Sequence, residues 1–140
     1  MKLDTTWGAL ARAAGGRLTL GSPDDAVESV STDSRTLKAG QVFWALKGPR
    51  FDAHNLLSAE LAARASGWVI EQDRAQAFPK RPTHVVEVAN TLKALQCFAA
   101  WHRNRFEIPV VGITGSNGKT TTKEMLKCIC KRLGDRKSVV

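Results

Sequence analysis

The sequence predicts an α/β protein, with a small mixed-sheet domain followed by the first strand, loop and helix of a parallel-sheet domain. Short apolar segments alternate with segments of helical period through the first 88 residues, as in compact α/β domains. Later, an unbroken apolar segment runs into a glycine-rich turn and another helical segment, the order in which parallel α/β sheets begin. The length of 140 residues suits one ordinary domain or two small ones.

The first domain is predicted to span residues 1–88. Thr5 or Thr6 can cap a short helix that ends at Gly15 and Gly16. Its inward face is predicted to hold Trp7, Leu10, Ala11 and Ala14. Strands are predicted at RLTL (17–20), AVESV (26–30), QVFWALKG (41–48), WVIE (68–71) and THVVEV (83–88), with turns or connectors at GSPDD, LKAG, PRFDAH and FPKRP. Asn55 is predicted to cap a helix over 56–66.

Residues 89–140 are predicted to begin the second domain. Asn90 or Thr91 can cap a helix over 92–106. The buried face of this helix is predicted to hold Leu92, Leu95, Ala99 and Phe106. IPVVGIT (108–114) is predicted to be a buried strand, and TTTKEMLKCICKRL (120–133) a helix that ends at Gly134. The tryptophans at 7, 44, 68 and 101 are predicted to lie in the core.

The net charge of +8 raises the question of a nucleic-acid partner. Basic residues recur every four positions along the last helical segment, at Lys119, Lys123, Lys127 and Lys131. We interpret this stripe as a solvated helix face and expect no nucleic-acid partner. A basic nucleic-acid-binding module is kept as an alternative, for which oligonucleotide affinity would fall steeply with salt.

Cysteine usage and hydropathy favour a cytoplasmic protein. Cys97, Cys128 and Cys130 are odd in number and lack zinc-site spacing, so they are interpreted as reduced thiols. The start of the chain lacks the apolar run of a secretory signal, and no segment approaches the ~20 apolar residues of a membrane span. A monomer is expected.

The segment GSNGKTT carries the clearest chemical signal. A helix that begins directly after a strand presents unpaired backbone N–H groups and the positive end of its dipole, which together bind phosphate. Glycines let the backbone curve around the anion. The lysine can reach the outer phosphates and stabilise the negative charge that develops during phosphoryl transfer. The hydroxyl of the next threonine is an oxygen ligand of the kind magnesium prefers. The predicted triphosphate-binding residues are Gly115, Ser116, Asn117, Gly118, Lys119, Thr120 and Thr121, with Thr120 as the magnesium ligand. The full P-loop pattern has one more glycine, where Ile113 stands.

Two stretches resemble the Mur ligase family. GITGSNGKTTTKEM resembles its ATP loop, and STDSRTLKAGQVFWALKGPRFDAH resembles its amino-terminal signature, with Ala53 where the family has glycine. The resemblance implies a UDP-sugar-binding domain followed by a P-loop ATPase domain. By position it implies substrate contacts at Ser31, Asp33, Ser34, Arg35, Lys47, Arg50, Asp52 and His54.

The resemblance also implies an activity. It is strongest to the member that joins D-alanyl-D-alanine to UDP-N-acetylmuramoyl-tripeptide in peptidoglycan synthesis, using ATP, magnesium and an acyl phosphate. The family's remaining sheet and third domain have no counterpart here, so the chain is expected to be an inactive amino-terminal fragment. The alternatives are the ligase that adds the third residue, a folylpolyglutamate-synthase-like ligase, and a non-catalytic UDP-sugar-binding protein.

Overall fold

A computed structural model describes residues 3–72, 74 and 81–132 of the chain. The chain divides into two compact units, Met1–Phe106 and Glu107–Val140. The sequence places the start of the second domain at residue 89, whereas the first compact unit continues through the following helix. That helix is held by the sheet, because the Trp44 indole Nε1 donates a hydrogen bond to the Thr91 carbonyl oxygen at 2.8 Å. The assignment of the two domains stays a prediction.

The first unit contains short strands and three α-helices within its described residues. The strands are β1 (Thr5–Thr6), β2 (Arg17–Leu20), β3 (Ala26–Val27), β4 (Val30–Ser31), β5 (Val42–Trp44), β6 (Gly67–Glu71) and β7 (His84–Val88). The helices are α1 (Trp7–Ala13), α2 (Ala59–Arg64) and α3 (Thr91–Asn104), with a 3-10 helix at Ala53–Leu56.

The main sheet has five strands in the order β2-β7-β6-β5-β4. Strands β4, β5, β6 and β7 pair in parallel, and β2 pairs antiparallel with β7. Strands β1 and β3 form a separate antiparallel pair. The mixed α/β sheet predicted from the sequence is therefore confirmed. The predicted strand AVESV is divided, since its two ends join different sheets.

Both faces of the main sheet are buried. Side chains alternate across a strand, so β5 contributes Val42 and Trp44 to one core and Phe43 to the other. The first core also receives α1 and α3, and the second receives α2. Burial on both faces explains why the parallel strands read as continuous apolar runs.

The prediction for α1 is confirmed residue by residue. The hydroxyl of Thr6 accepts a hydrogen bond from the backbone N–H of Ala9 at 3.3 Å, which makes Thr6 the N-cap. The predicted inward residues Trp7, Leu10, Ala11 and Ala14 are all buried. Of the four tryptophans, three are at most 1% exposed, and Trp101 is half-buried against the first core.

Two helix predictions need correction. Helix α2 begins after Ser58, whose hydroxyl accepts from the N–H of Leu61 at 3.2 Å, while Asn55 lies in the 3-10 helix. Helix α3 begins after Asn90 as predicted, but it turns a different stripe inward. Its buried residues are Thr91, Ala94 and Phe98. Of the predicted face, Leu95 packs partly buried against the first core, whereas Leu92 is 49% exposed and Phe106 is 45% exposed. The FPKRP connector lies mostly outside the described residues.

The second unit contains helix α4 (Lys119–Arg132). The prediction that IPVVGIT forms a strand is wrong for this chain, because these residues have no strand structure and Val111 is 72% exposed. A strand needs a neighbour to satisfy its backbone hydrogen bonds, and no strand accompanies it in the described residues 107–132. Gly134, the predicted end of the helix, lies outside the described residues.

The sequence also predicts that no segment spans a membrane and that the cysteines are reduced thiols. Within the described part of the chain, no helix has the length and apolar character needed to cross a bilayer. All three cysteines are free thiols, and Cys97 and Cys128 are exposed.

Candidate functional site

The carboxyl ends of the parallel strands place the predicted substrate motifs at one edge of the sheet. STDSR begins in β4 and continues past it, LKGPRFDAH follows β5, and Arg74 lies just after β6. Because β4, β5 and β6 are parallel neighbours, their following loops meet at the same edge. In open α/β sheets, ligands bind at this edge. The topology therefore identifies a candidate site before any side chain is considered.

The STDSR turn is organised by hydrogen bonds within itself. The hydroxyl of Ser31 accepts from the backbone N–H of Asp33 at 3.2 Å and donates to its carbonyl oxygen at 3.1 Å. One oxygen of Asp33 accepts from the backbone N–H and from Nε of Arg35, both at 3.0 Å. The other accepts from Nη2 of Arg35 at 2.8 Å. The turn therefore presents a bidentate ion pair.

The ion pair sets the protonation of both partners. The hydrogen bonds that Asp33 accepts from the side chain and the backbone of Arg35 lower the pKa of Asp33 to about 2. The hydrogen bond with Asp33, followed by its charge, raises the pKa of Arg35. Arg35 is 86% exposed in its side chain, so it has N–H donors facing solvent beyond the two that Asp33 receives. A carboxylate and a cation are thus fixed side by side at the surface.

A groove of about 470 Å³ joins this turn to the loop after β5. It is lined by Thr32, Asp33, Ser34, Arg35, Phe51, Ala53 and Leu56. One wall is polar and charged and the other is apolar, with Phe51 itself 58% exposed. The structure thus brings together the two ends of the STDSRTLKAGQVFWALKGPRFDAH stretch, which β5 separates in sequence. Phe51 and Leu56 were not predicted as site residues, although Phe51 lies inside the PRFDAH segment.

His54 and Asp52 lie behind the apolar wall. His54 is 1% exposed. Its Nδ1 lies 2.5 Å from Oδ1 of Asp52, and its Nε2 lies 3.0 Å from the backbone nitrogen of Glu71 at the end of β6. The sequence placed His54 among the substrate contacts, but in the structure both ring nitrogens contact the protein itself.

Asp52 is held as a carboxylate. Partial burial opposes its charge, but the hydrogen bonds from the backbone and ring of His54, together with nearby Arg74, outweigh that effect and lower its pKa. Lys47 also belongs to this cluster, since its ammonium lies 3.6 Å from the carboxylate of Glu71. Arg50 is exposed and does not line the groove.

The glycine-rich loop in the second unit contains two glycines with positive φ. Gly115 has φ of 148° and Gly118 has φ of 78°, values that favour glycine. The ammonium of Lys119 donates to the Gly115 carbonyl oxygen at 2.5 Å and approaches that of Ser116 at 3.4 Å. Helix α4 begins at Lys119 and extends over 14 residues, so its amino-terminal N–H groups border the loop.

The other predicted loop residues are solvent-accessible. Ser116, Asn117, Thr120 and Thr121 are exposed. The Thr120 hydroxyl at the second position of α4 fits one oxygen ligand of magnesium. In the ranges that the structure describes, no group of three or more His, Cys, Asp or Glu side chains could hold a metal ion.

Comparison with known proteins confirms the resemblance found in the sequence. No protein-family model matches the chain. It is 38% identical over 114 residues to the UDP-N-acetylmuramoyl-tripeptide–D-alanyl-D-alanine ligase of Synechocystis. The aligned region covers 81% of this chain and 25% of that protein. The chain is 31% identical over 116 residues to the UDP-N-acetylmuramoyl-L-alanyl-D-glutamate–2,6-diaminopimelate ligase of Aquifex aeolicus, covering 81% of this chain and 23% of that protein.

Solved structures agree. A crystal structure of MurF from Acinetobacter baumannii matches with a TM-score of 0.79 and 35% identity, over 94% of this chain and 28% of that one. The MurF ligase of Thermotoga maritima, in complex with ADP, matches with a TM-score of 0.56 and 30% identity, over 74% of this chain and 23% of that one. The chain therefore spans about a quarter of the length of the Mur ligases it matches.

Proposed function

We propose that this chain, which matches about a quarter of the length of the Mur ligases, is the amino-terminal part of one that joins D-alanyl-D-alanine to UDP-N-acetylmuramoyl-tripeptide. Its first unit would hold the UDP end of the substrate, and its second would begin the ATP-binding domain. The groove carries the proposal, since the two ends of the recognised amino-terminal stretch converge there at the carboxyl edge of a parallel sheet.

The two walls of the groove suit a uridine nucleotide. Arg35 can pair with a diphosphate through its solvent-facing N–H groups, and Asp33 and Ser34 can bond to ribose or base. The ring of Phe51 offers an exposed apolar face against which a pyrimidine can stack. The Asp33 carboxylate can accept hydrogen bonds from donor groups of such a ligand, and the Arg35 cation can pair with its negative charge.

The loop at Gly115–Thr121 would hold the phosphates of ATP. Backbone N–H groups at the start of α4 and the Lys119 ammonium would surround the phosphoryl groups, and the Thr120 hydroxyl would contribute one magnesium ligand. Magnesium would neutralise charge on the phosphates. ADP in the Thermotoga maritima structure supports a nucleotide in this fold.

In the proposed reaction, a substrate carboxylate oxygen attacks the γ-phosphorus of ATP, and ADP leaves. The amine of D-alanyl-D-alanine then attacks the carbonyl carbon of the acyl phosphate, phosphate leaves, and the amine loses a proton. Phosphorylation is needed because a free carboxylate has no adequate leaving group. Lys119 would stabilise charge on the transferred group. Since the chain covers about a quarter of such ligases, we expect it to catalyse no ligation alone.

Calorimetry with UDP-N-acetylmuramoyl-tripeptide tests the first-unit proposal. Asp33→Asn removes the charge that orients Arg35 and should weaken binding about tenfold, the loss expected for a charge-assisted contact. Asp24→Asn, in the exposed turn before β3, is the matched control and should bind as the wild type does. Equal binding by wild type and Asp33→Asn would argue against the site.

A second candidate is the ligase that adds the third residue to the same peptide. It is supported by the 31% identity with the diaminopimelate ligase of Aquifex aeolicus. The UDP-N-acetylmuramoyl-tripeptide–D-alanyl-D-alanine ligase of Synechocystis matches at 38% over a similar length, which favours the first candidate.

A further inference from the structure

His54 connects the apolar wall of the groove to the main sheet. It lies in the 3-10 helix Ala53–Leu56, and its neighbours in sequence line the groove while its own ring points inward. One ring nitrogen contacts Asp52 in the same loop, and the other contacts the backbone of Glu71 in β6. The ring is thus a cross-link between a loop and a buried strand.

The partners of the ring determine its tautomer. A backbone nitrogen can only donate, so Nε2 of His54 accepts the hydrogen bond from Glu71. A neutral imidazole then carries its proton on Nδ1, which donates to the carboxylate of Asp52 at 2.5 Å. The same oxygen of Asp52 also accepts from the backbone N–H of His54 at 2.9 Å. The loop is therefore closed on itself by Asp52 and fixed to the sheet by Nε2.

Charged groups around the cluster complete the arrangement. Arg74 lies 3.4 Å from the second oxygen of Asp52, and Lys47 lies 3.6 Å from the carboxylate of Glu71. Lys47 and Asp52 also pair through an isolated backbone bridge. These contacts join the two ends of the loop that contains Phe51, so the wall of the groove depends on the residues behind it.

We propose that His54 is a positioning residue, which through its Nδ1–H tautomer holds Phe51, Ala53 and Leu56 opposite the Asp33–Arg35 pair. This rests on the proposed function, in which the groove takes the UDP end of the substrate. His54 acts through the loop and does not touch the ligand. Removing either of its hydrogen bonds loosens the apolar wall and lowers affinity for the uridine nucleotide, while the ion pair on the opposite wall stays intact.

Two substitutions separate the two hydrogen bonds. His54→Asn keeps an N–H donor near the position of Nδ1 and loses the acceptor, whereas His54→Gln keeps an acceptor near the position of Nε2 and loses the donor. Each should weaken binding of UDP-N-acetylmuramoyl-tripeptide about five- to tenfold in calorimetry, the fold-change expected when one buried partner is left unpaired.

The matched control is His84→Gln. His84 is also buried, at 7% exposure, and its ring contacts Asp25 at 2.8 Å. It pairs with Gly67 at the start of β6, whereas His54 contacts Glu71 at the other end of that strand. His84→Gln should lower the thermal midpoint but leave nucleotide affinity within about twofold of wild type, because its lost bonds lie away from the groove.

A long-range ¹H–¹⁵N correlation spectrum of the wild-type chain gives an independent readout. It should show the proton of His54 on Nδ1, and a proton on Nε2 would overturn the inference whatever the binding result. Wild-type affinity in both His54 variants would overturn it too, yet leave the proposed function standing. A wild-type chain that does not bind the nucleotide would refute the proposed function and this inference with it.

Discussion

Gly67 is the position where the smallest possible substitution should have a large effect. A Cβ added there would meet Cη2 of Trp7 and would lie 2.6 Å from both Cζ2 of Trp7 and the carbonyl oxygen of His84. Trp7 cannot retreat, because it is fully buried and stacks on the His84 ring with 4.6 Å between centroids and 3° between planes. The carbonyl belongs to β7, which pairs with β6 at this register.

Gly67→Ala should therefore destabilise the first unit by about 3 kcal/mol, the upper part of the range for overpacking against rigid neighbours. For a unit of this size, that corresponds to a fall of about 10–20 °C in Tm. The assay is thermal and urea unfolding followed by the fluorescence of the four tryptophans, three of which are buried in the first unit. Gly48→Ala is the control, since the nearest atom to its added Cβ is the Phe51 carbonyl oxygen at 3.6 Å, an ordinary contact.

A double substitution tests the cause. Trp7→Phe removes both of the indole atoms that the new methyl group would meet. It should therefore make Gly67→Ala less harmful than in the wild-type background, by about 1 kcal/mol or more of coupling. Unfolding of Gly67→Ala within about 0.5 kcal/mol of wild type would refute the reasoning, as would strict additivity with Trp7→Phe.

Two further predictions concern the candidate sites. Since the pKa of Asp33 falls from 3.8 to about 2, the contribution of its pair with Arg35 should be present above pH 3.8 and be lost as the pH falls through about 2. A ¹³C titration of the carboxyl group should show that midpoint, and Arg35→Gln should return it towards 3.8; an unchanged midpoint in the variant would contradict the assignment. Lys119→Ala should weaken ATP binding at least about tenfold in calorimetry through loss of a charge-assisted contact. Lys131→Ala, on the same helix but away from the loop, should not, and equal losses would indicate non-specific attraction instead.

Capping residues and apolar periodicity were sufficient to predict helix α1 and the parallel strands. Helix α1 has one good cap, Thr6, and one stripe of large apolar residues, so its start and its buried face both follow from the sequence. The parallel strands were equally clear, because burial on two faces demands continuous apolar runs such as VFW in β5. The two ends of the recognised amino-terminal stretch converge at one edge because β4 and β5 run parallel, and neither segment alone specifies that direction.

Helix α3 shows where local signals fail. Its sequence offers two apolar stripes with similar spacing, one through Leu92 and Phe106 and the other through Ala94 and Phe98. Shape selects the second, since the small Ala94 allows close approach and the Phe98 ring lies 5.7 Å from that of Trp44. That choice depends on a strand nearly fifty positions earlier in the sequence, and helical periodicity contains no information about it.

The loop after β5 shows a different limit. The residue types in PRFDAH suit ligand contacts, yet the structure faces Phe51 to the groove and turns His54 into the interior. A hydrogen-bonding side chain such as that of His54 can contact a ligand or can be buried and bond to the protein itself. Only its burial in the tertiary structure distinguishes these two roles. The IPVVGIT segment is similar, because an apolar run favours a strand but cannot supply the neighbour that a strand requires.

The contacts of Lys119 have a consequence for ligand choice. Its ammonium already has partners in the Gly115 and Ser116 carbonyl oxygens, so any arriving anion competes with the loop's own dipoles. A singly charged or neutral molecule offers little advantage over two carbonyl groups, whereas a polyphosphate offers several negative oxygens at once. If the loop binds phosphate as proposed, these contacts would make it favour a polyphosphate over a singly charged anion.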